Sequence, residues 1–199
     1  EVFLAASESN ALFNCGIRDY KHLPPGHLIY ISADGKKEII KYAENTQRAH
    51  CMFEWVYFAN ASSVINERSV YLTRVQLGKE LAKDELVHKD ENGNVRSDVI
   101  VVSVPDTAKA SADAMAYELK IPSVEGLLRN RYVGRTFIEG AIRDERIRNK
   151  YTALPEVLKD KIVILVDDSI VRGATTKQLI KYLKAEGGAK EVHVRVAAQ

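Results

Sequence analysis

Apolar and polar positions change rhythm along this chain, and each rhythm predicts a different kind of element. At the start, residues 1–6 read as a strand, and residues 28–31 and 38–42 as two more around the turn Asp34-Gly35, after a bend at Pro24-Pro25-Gly26. Three short strands bury no core by themselves, so residues 1–50 must pack against something else. From Cys51 onward the pattern lengthens. Residues 69–86 carry Val70, Leu72, Val75, Leu77 and Leu81 near helical spacing, with charges between them, and Asn92-Gly93-Asn94 supplies a loop. Residues 98–104 are a buried-type strand that ends in Pro105-Asp106-Thr107, and residues 108–119 form an alanine-rich helix. After residues 121–125 comes a polar stretch, 129–151, followed by the apolar run Val163-Ile164-Leu165-Val166. A helix over 177–186 closes at Gly187-Gly188, and residues 192–196 return as a strand. Strands alternating with helices predict an α/β chain with a doubly wound, mostly parallel sheet.

The apolar run is where chemistry enters. Four buried-type positions suit a strand covered on both faces, so polar groups can begin only where the strand leaves the core. There stand Asp167 and Asp168, then Ser169, Arg172, Gly173, Ala174, Thr175 and Thr176. Two carboxylates at a strand exit accept hydrogen bonds from vicinal sugar hydroxyls and can hold a hard divalent cation directly or through water. Gly173 permits close approach of the backbone to a ligand, and the threonines add hydroxyl donors. The helix that follows points unpaired N–H groups at this loop, which favours an anion such as phosphate. Acids that merely cap a helix would be the plain alternative for two aspartates alone. The ordered combination of strand, acidic pair, glycine, threonines and helix favours a ligand site. Neither a G-x-x-x-x-G-K-[ST] nor a G-x-G-x-x-G pattern occurs, which argues against a P-loop or dinucleotide site.

A second polar segment, Arg129-Asn130-Arg131-Tyr132-Val133-Gly134-Arg135-Thr136-Phe137-Ile138, is too polar for a core strand and has a glycine near its centre. It suits a flap whose guanidinium groups pair with diphosphate oxygens, although a solvated basic loop would look similar in isolation.

Composition narrows the classes. With 29 basic and 27 acidic residues interleaved, the formal charge of +2 gives no support to nucleic-acid binding. Only Cys15 and Cys51 occur, far apart, which fits a reducing compartment and provides no disulfide framework. No apolar stretch is long enough to span a bilayer and no basic and apolar leader opens the chain, so a soluble cytoplasmic protein is expected. The five histidines show no metal spacing.

The run from Val163 to Thr176 resembles the phosphoribosyl pyrophosphate (PRPP) motif of type I phosphoribosyltransferases. Taken with Cys51-Met52-Phe53-Glu54-Trp55-Val56-Tyr57-Phe58-Ala59, Ser69-Val70-Tyr71 and Asn130 to Ile138, it makes residues 51–199 similar to the phosphoribosyltransferase domain of the glutamine PRPP amidotransferase (amidophosphoribosyltransferase) family. Residues 1–50 resemble the tail of that family's N-terminal glutaminase domain, at Ala6-Ser7-Glu8-Ser9, Arg18-Asp19 and Pro25-Gly26. The resemblance implies a type I phosphoribosyltransferase fold preceded by a partial β-rich glutaminase segment. It implies formation of 5-phosphoribosylamine and pyrophosphate from PRPP and ammonia derived from glutamine, the first step of de novo purine synthesis, in a homo-oligomer that binds neither nucleic acid nor membrane. It assigns catalytic positions to Asp167, Asp168, Arg135 and Lys150, and Mg²⁺ to Thr107, Asp167 and Asp168. PRPP contacts fall to Asp106, Thr107, Arg129, Tyr132, Ser169, Arg172, Gly173, Ala174, Thr175 and Thr176.

The chain departs from that family in four places. The family's glutaminase works through an N-terminal cysteine nucleophile, whereas Glu1 occupies the start here and neither Cys15 nor Cys51 is terminal, so the chain as given is not expected to hydrolyse glutamine. Phe13 replaces an aspartate that holds the glutamine amino group. Ala174 and Arg129 replace a threonine and a lysine, removing one phosphate contact and changing one cation. The chain ends at Gln199, where the family continues, as a fragment would. Some members hold an iron–sulfur cluster through a cysteine at the place of Cys51 and three later ones; no cysteine follows Cys51 here, and no such cluster is expected. Two other functions keep the same donor site. A non-catalytic PRPP sensor or scaffold would need no intact metal residues, and a nucleobase phosphoribosyltransferase would need a base pocket and no glutaminase-like start.

Overall fold

The computed structural model describes residues 2–132 and 143–198. The chain packs as two units, Glu1–Val70 and Tyr71–Gln199.

In the first unit a short helix, α1 (Ser9–Asn14), is tied to the segment after residue 59 by side chains at its start. The Glu8 carboxylate accepts hydrogen bonds from the Asn60 N–H at 2.7 Å and the Ser63 hydroxyl at 2.8 Å, and Ser9 Oγ accepts one from the Val64 N–H at 2.8 Å. Strands β1 (His27–Ile31) and β2 (Lys37–Lys41) form the expected antiparallel hairpin, with Ile29 opposite Ile39. Its apolar side chains remain exposed on both faces. A π-helical turn, Glu54–Phe58, and the two-residue strands β3 (Val64–Ile65) and β4 (Arg68–Ser69) complete the unit. The strand expected over residues 1–6 does not form: Val2 to Ala6 have no paired partner among the described residues, and Val2, Phe3 and Leu4 are exposed. Apolar composition without a neighbouring edge to satisfy backbone groups does not make a strand.

The second unit is a layered α/β structure. It contains α2 (Val70–Lys83, beginning at the boundary), β5 (Val99–Ser103), α3 (Lys109–Leu119), β6 (Leu127–Arg129), α4 (Arg143–Lys150), β7 (Tyr151–Ala153), α5 (Pro155–Leu158), β8 (Ile162–Asp167), α6 (Ala174–Ala185) and β9 (Glu191–Val196). Strands β5, β8 and β9 form a parallel sheet in that order, with Val101 opposite Ile164 and Ile164 opposite His193. On the outer side of β5, Ser123 makes a parallel bridge to Val101.

Strand alternation accounts for two cores. Ile100, Val102, Val163 and Leu165 face one side, where Leu179 and Leu183 of α6, Ile147 of α4 and Leu158 of α5 cover them. Val99, Val101, Ile162, Ile164 and Val166 face the other side and meet Ala112, Met115, Ala116 and Leu119 of α3. Every β5 and β8 side chain from Val99 to Val102 and from Ile162 to Val166 is almost wholly buried, which explains their uninterrupted apolar sequence.

Helix α2 departs from the expected apolar face. It buries Val70, Arg74 and Gly78, whereas Leu72 is 64% exposed. The cause is the close approach of α3: a Cβ on Gly78 would lie 2.1 Å from the Ser111 carbonyl oxygen. The contact therefore selects the absence of a side chain over apolar bulk.

Candidate functional site

After β5 the chain runs to one side of the sheet, through α3 to the bridge at Ser123, while β8 lies on the other side. The order thus reverses between the carboxyl ends of β5 and β8, the place where open α/β sheets leave a crevice. A hydrogen bond from the Val104 N–H to the Val166 carbonyl, 2.8 Å, carries the pairing up to that point.

Asp167 is the last residue of β8, and Asp168 begins the bend beyond it; both are half-buried. Their backbones are held from the β9 side, where the N–H groups of Ala197 and Ala198 donate to the carbonyls of Asp167 and Asp168 at 2.9 and 3.1 Å. The Asp167 carboxylate accepts from the Asp168 N–H at 2.9 Å, and Ser169 Oγ donates to Asp168 at 2.6 Å. Burial, reinforced by the neighbouring Asp168 charge, raises the Asp167 pKa from 3.8 to about 6. Burial also raises that of Asp168, opposed by the Ser169 hydrogen bond and by the charges of Arg74 and Lys150.

Lys150, at the end of α4, acts electrostatically on both acids. Arg74 was not anticipated from the sequence. It is a cation 4% exposed on the face of α2 that carries Val70 and Gly78, four residues before and after it. A basic residue in phase with buried positions was the signal available.

Beyond Asp168, Ser169 is half-buried and Arg172 exposed. Gly173 takes φ 67°, a left-handed conformation that turns the loop into α6. The helix begins at Ala174, earlier than the expected residue 177, because its first bond runs from the Lys177 N–H to the Gly173 carbonyl. Ala174, Thr175 and Thr176 consequently form the first turn, where backbone N–H groups have no partners within the helix. Among the described residues no side chain caps this end.

Across the crevice, Pro105, Asp106 and Thr107 form the turn after β5, with a cis peptide between Pro105 and Asp106. Arg129 ends β6 and donates to the exposed Asp106 carboxylate at 2.9 Å. With Asn130 and Arg131 these two residues line a cleft of about 440 Å³. The Tyr132 side chain is fully exposed, and Arg135 lies outside the described residues. Strand β6 pairs with β7, Arg129 opposite Tyr151, and the Asn130 N–H donates to the Lys150 carbonyl at 2.9 Å. Both ends of the polar stretch are thus fixed beside one another at the site. Among the described residues no three His, Cys, Asp or Glu side chains converge as a metal site.

The sequence pattern of the phosphoribosyl transferase domain matches residues 73–199, which contain the crevice and every group around it. The chain belongs to the phosphoribosyltransferase family.

More specific similarity extends over both units of the chain. The amidophosphoribosyltransferase of Pyrococcus horikoshii is 42% identical over 195 residues, covering 97% of this chain and 40% of that protein. The amidophosphoribosyltransferase of Homo sapiens is 40% identical over 202 residues, covering 100% and 37%. The solved structure of glutamine PRPP amidotransferase from B. subtilis, complexed with ADP and GMP, matches with a TM-score of 0.79 at 35% identity, covering 96% of this chain and 40% of that one. The chain spans about 40% of the length of the curated relatives it matches. Among the described residues no helix is long and apolar enough to cross a membrane.

Proposed function

We propose that this phosphoribosyltransferase binds PRPP and transfers its phosphoribosyl group to ammonia, giving 5-phosphoribosylamine and pyrophosphate, as the first step of de novo purine synthesis. The observation that carries the reading is the half-buried pair Asp167 and Asp168 at the switch point, followed at once by the uncapped start of α6. The ribose hydroxyls donate to the two carboxylates. The 5′-phosphate lies on the N–H groups of Ala174, Thr175 and Thr176, with Ser169, Arg172 and Gly173 shaping the loop. The diphosphate faces Asp106, Thr107, Arg129 and Tyr132, while Lys150 and Arg135 place positive charge near the departing group.

Ammonia attacks C1 from the side opposite the diphosphate. The new C–N bond forms as the C–O bond breaks, the electron pair leaves with pyrophosphate, and one proton is lost from nitrogen to solvent. The acidic pair stabilises positive charge developing at the ribose C1. Two oxygen donors whose ionisation is opposed by burial suit a hard divalent cation that takes its remaining ligands from substrate and water. Thr107, Asp167 and Asp168 would hold Mg²⁺, whose charge supports the leaving diphosphate.

We assign residues 1–50 to the tail of a glutaminase domain and residues 51–199 to the transferase domain. The rest of a glutaminase portion would deliver ammonia from glutamine, in a cytoplasmic homo-oligomer. The free thiols Cys15 and Cys51 suit a reducing setting.

The test is PRPP binding with Mg²⁺ by calorimetry, then pyrophosphate release from PRPP and ammonium salt at raised pH. Donor binding without pyrophosphate release would end the transferase reading. Asp168→Asn should remove most affinity or turnover while the fold survives, and an unchanged rate would end the site assignment.

A further inference from the structure

An ion pair stands at the place assigned to the donor's diphosphate. The Arg129 guanidinium approaches the Asp106 carboxylate at 2.9 Å, joining the end of β6 to the turn after β5. Both side chains are exposed, 47% and 73%, and both line the cleft that Asn130 and Arg131 complete. Two arginines therefore line one cleft that already contains a carboxylate.

Resting on the PRPP reading above, we propose that Asp106 is an internal substitute for the diphosphate, holding Arg129 until a multiply charged anion displaces it. A guanidinium presents a planar fork that a carboxylate and a phosphate satisfy in the same way, so the two compete for one set of donors. The exchange sets one cost that every anion seated on Arg129 must meet. Orthophosphate and pyrophosphate alike surrender part of their gain to break the existing pair. Pyrophosphate has further anionic oxygens for Arg131 and keeps a net advantage. Asp106, once displaced, is exposed enough to be hydrated where it stands.

The experiment titrates pyrophosphate and, separately, orthophosphate into the full chain without divalent cations. It compares the wild type, Asp106→Asn, Arg129→Gln and the double variant. Because exposed ion pairs are weak, Asp106→Asn should tighten pyrophosphate binding only about threefold to fivefold. It should tighten orthophosphate by about the same factor, because both anions displace the same pair. In the Arg129→Gln background the same substitution should bring no gain. Weaker or unchanged pyrophosphate binding by Asp106→Asn would overturn the exchange, and so would an equal gain in the Arg129→Gln background, which would indicate simple removal of a negative charge. If neither wild type nor Asp106→Asn binds pyrophosphate here, and neither binds PRPP when Mg²⁺ is supplied, the donor-site reading falls and takes this inference with it. A loss confined to Asp106→Asn removes the exchange alone.

Discussion

The Ser111 hydroxyl donates a 2.8 Å hydrogen bond to the backbone carbonyl of Arg74, between two nearly buried residues on adjacent helices. One turn further along α2, Gly78 leaves no room for a side chain against Ser111. Gly78→Ala should therefore force α2 and α3 apart and destabilise the protein by about 3 kcal/mol, seen as a lower urea midpoint. Any folded fraction should bind PRPP more weakly, because Arg74 moves with the helix. A midpoint equal to that of the parent would show that the helices separate freely.

The raised pKa of Asp167 fixes the sign of a pH effect. Between 3.8 and about 6 the folded protein retains a proton that the unfolded chain has lost, so this group's contribution to stability falls as pH rises through that interval and is level above it. Asp167→Asn should raise the thermal midpoint of the ligand-free protein near neutral pH, by an amount corresponding to at most about 3 kcal/mol. The difference should disappear below pH 3.8. A destabilised Asn variant at neutral pH would refute the assigned cost of burying the carboxylate. Loss of PRPP binding should accompany the gain, so this position trades resting stability for ligand affinity.

Glu85 has a fully buried side chain that accepts hydrogen bonds from Arg195 Nε at 2.6 Å and Nη2 at 3.0 Å. Arg195→Met leaves that carboxylate without its cation and should cost about 3 kcal/mol in chemical denaturation. Adding Glu85→Gln should recover part of the loss. An additive double variant would mean that the pair is energetically idle.

Ala174 occupies the first position of α6 with its side chain exposed. Ala174→Thr should tighten PRPP binding about threefold to tenfold by adding one hydroxyl contact to the 5′-phosphate. Pyrophosphate alone should bind unchanged. Equal gains for both ligands, or no gain for PRPP, would place the phosphate elsewhere.

Sequence patterning revealed the central sheet because β5 and β8 are covered on both faces, leaving no polar interruption from Val99 to Val102 or from Ile162 to Val166. The acids at the end of β8 were visible for the same reason, as the first departure from that run. Helix α2 was legible in extent but not in facing, since a glycine contact carries no hydrophobic signal, and Arg74 was hidden with it. The pairing of β6 with β7 was missed because each contributes only three residues, separated by a long polar insertion. The ion pair between Asp106 and Arg129 depends on that pairing, which brings distant residues to one cleft. Residues 2–6 show the converse: an apolar stretch suited to a strand has no paired edge among the described residues.

The closure of the polar stretch at Arg129 and Tyr151 has an evolutionary consequence. Because residues 130 and 150 meet through a backbone hydrogen bond, the chain leaves and re-enters the scaffold at one address. Insertions or exchanges within that excursion need not shift the register of β5 or β8. The sheet and the sequence between β6 and β7 can therefore diverge independently, so one scaffold can accept new chemistry by replacing a cassette.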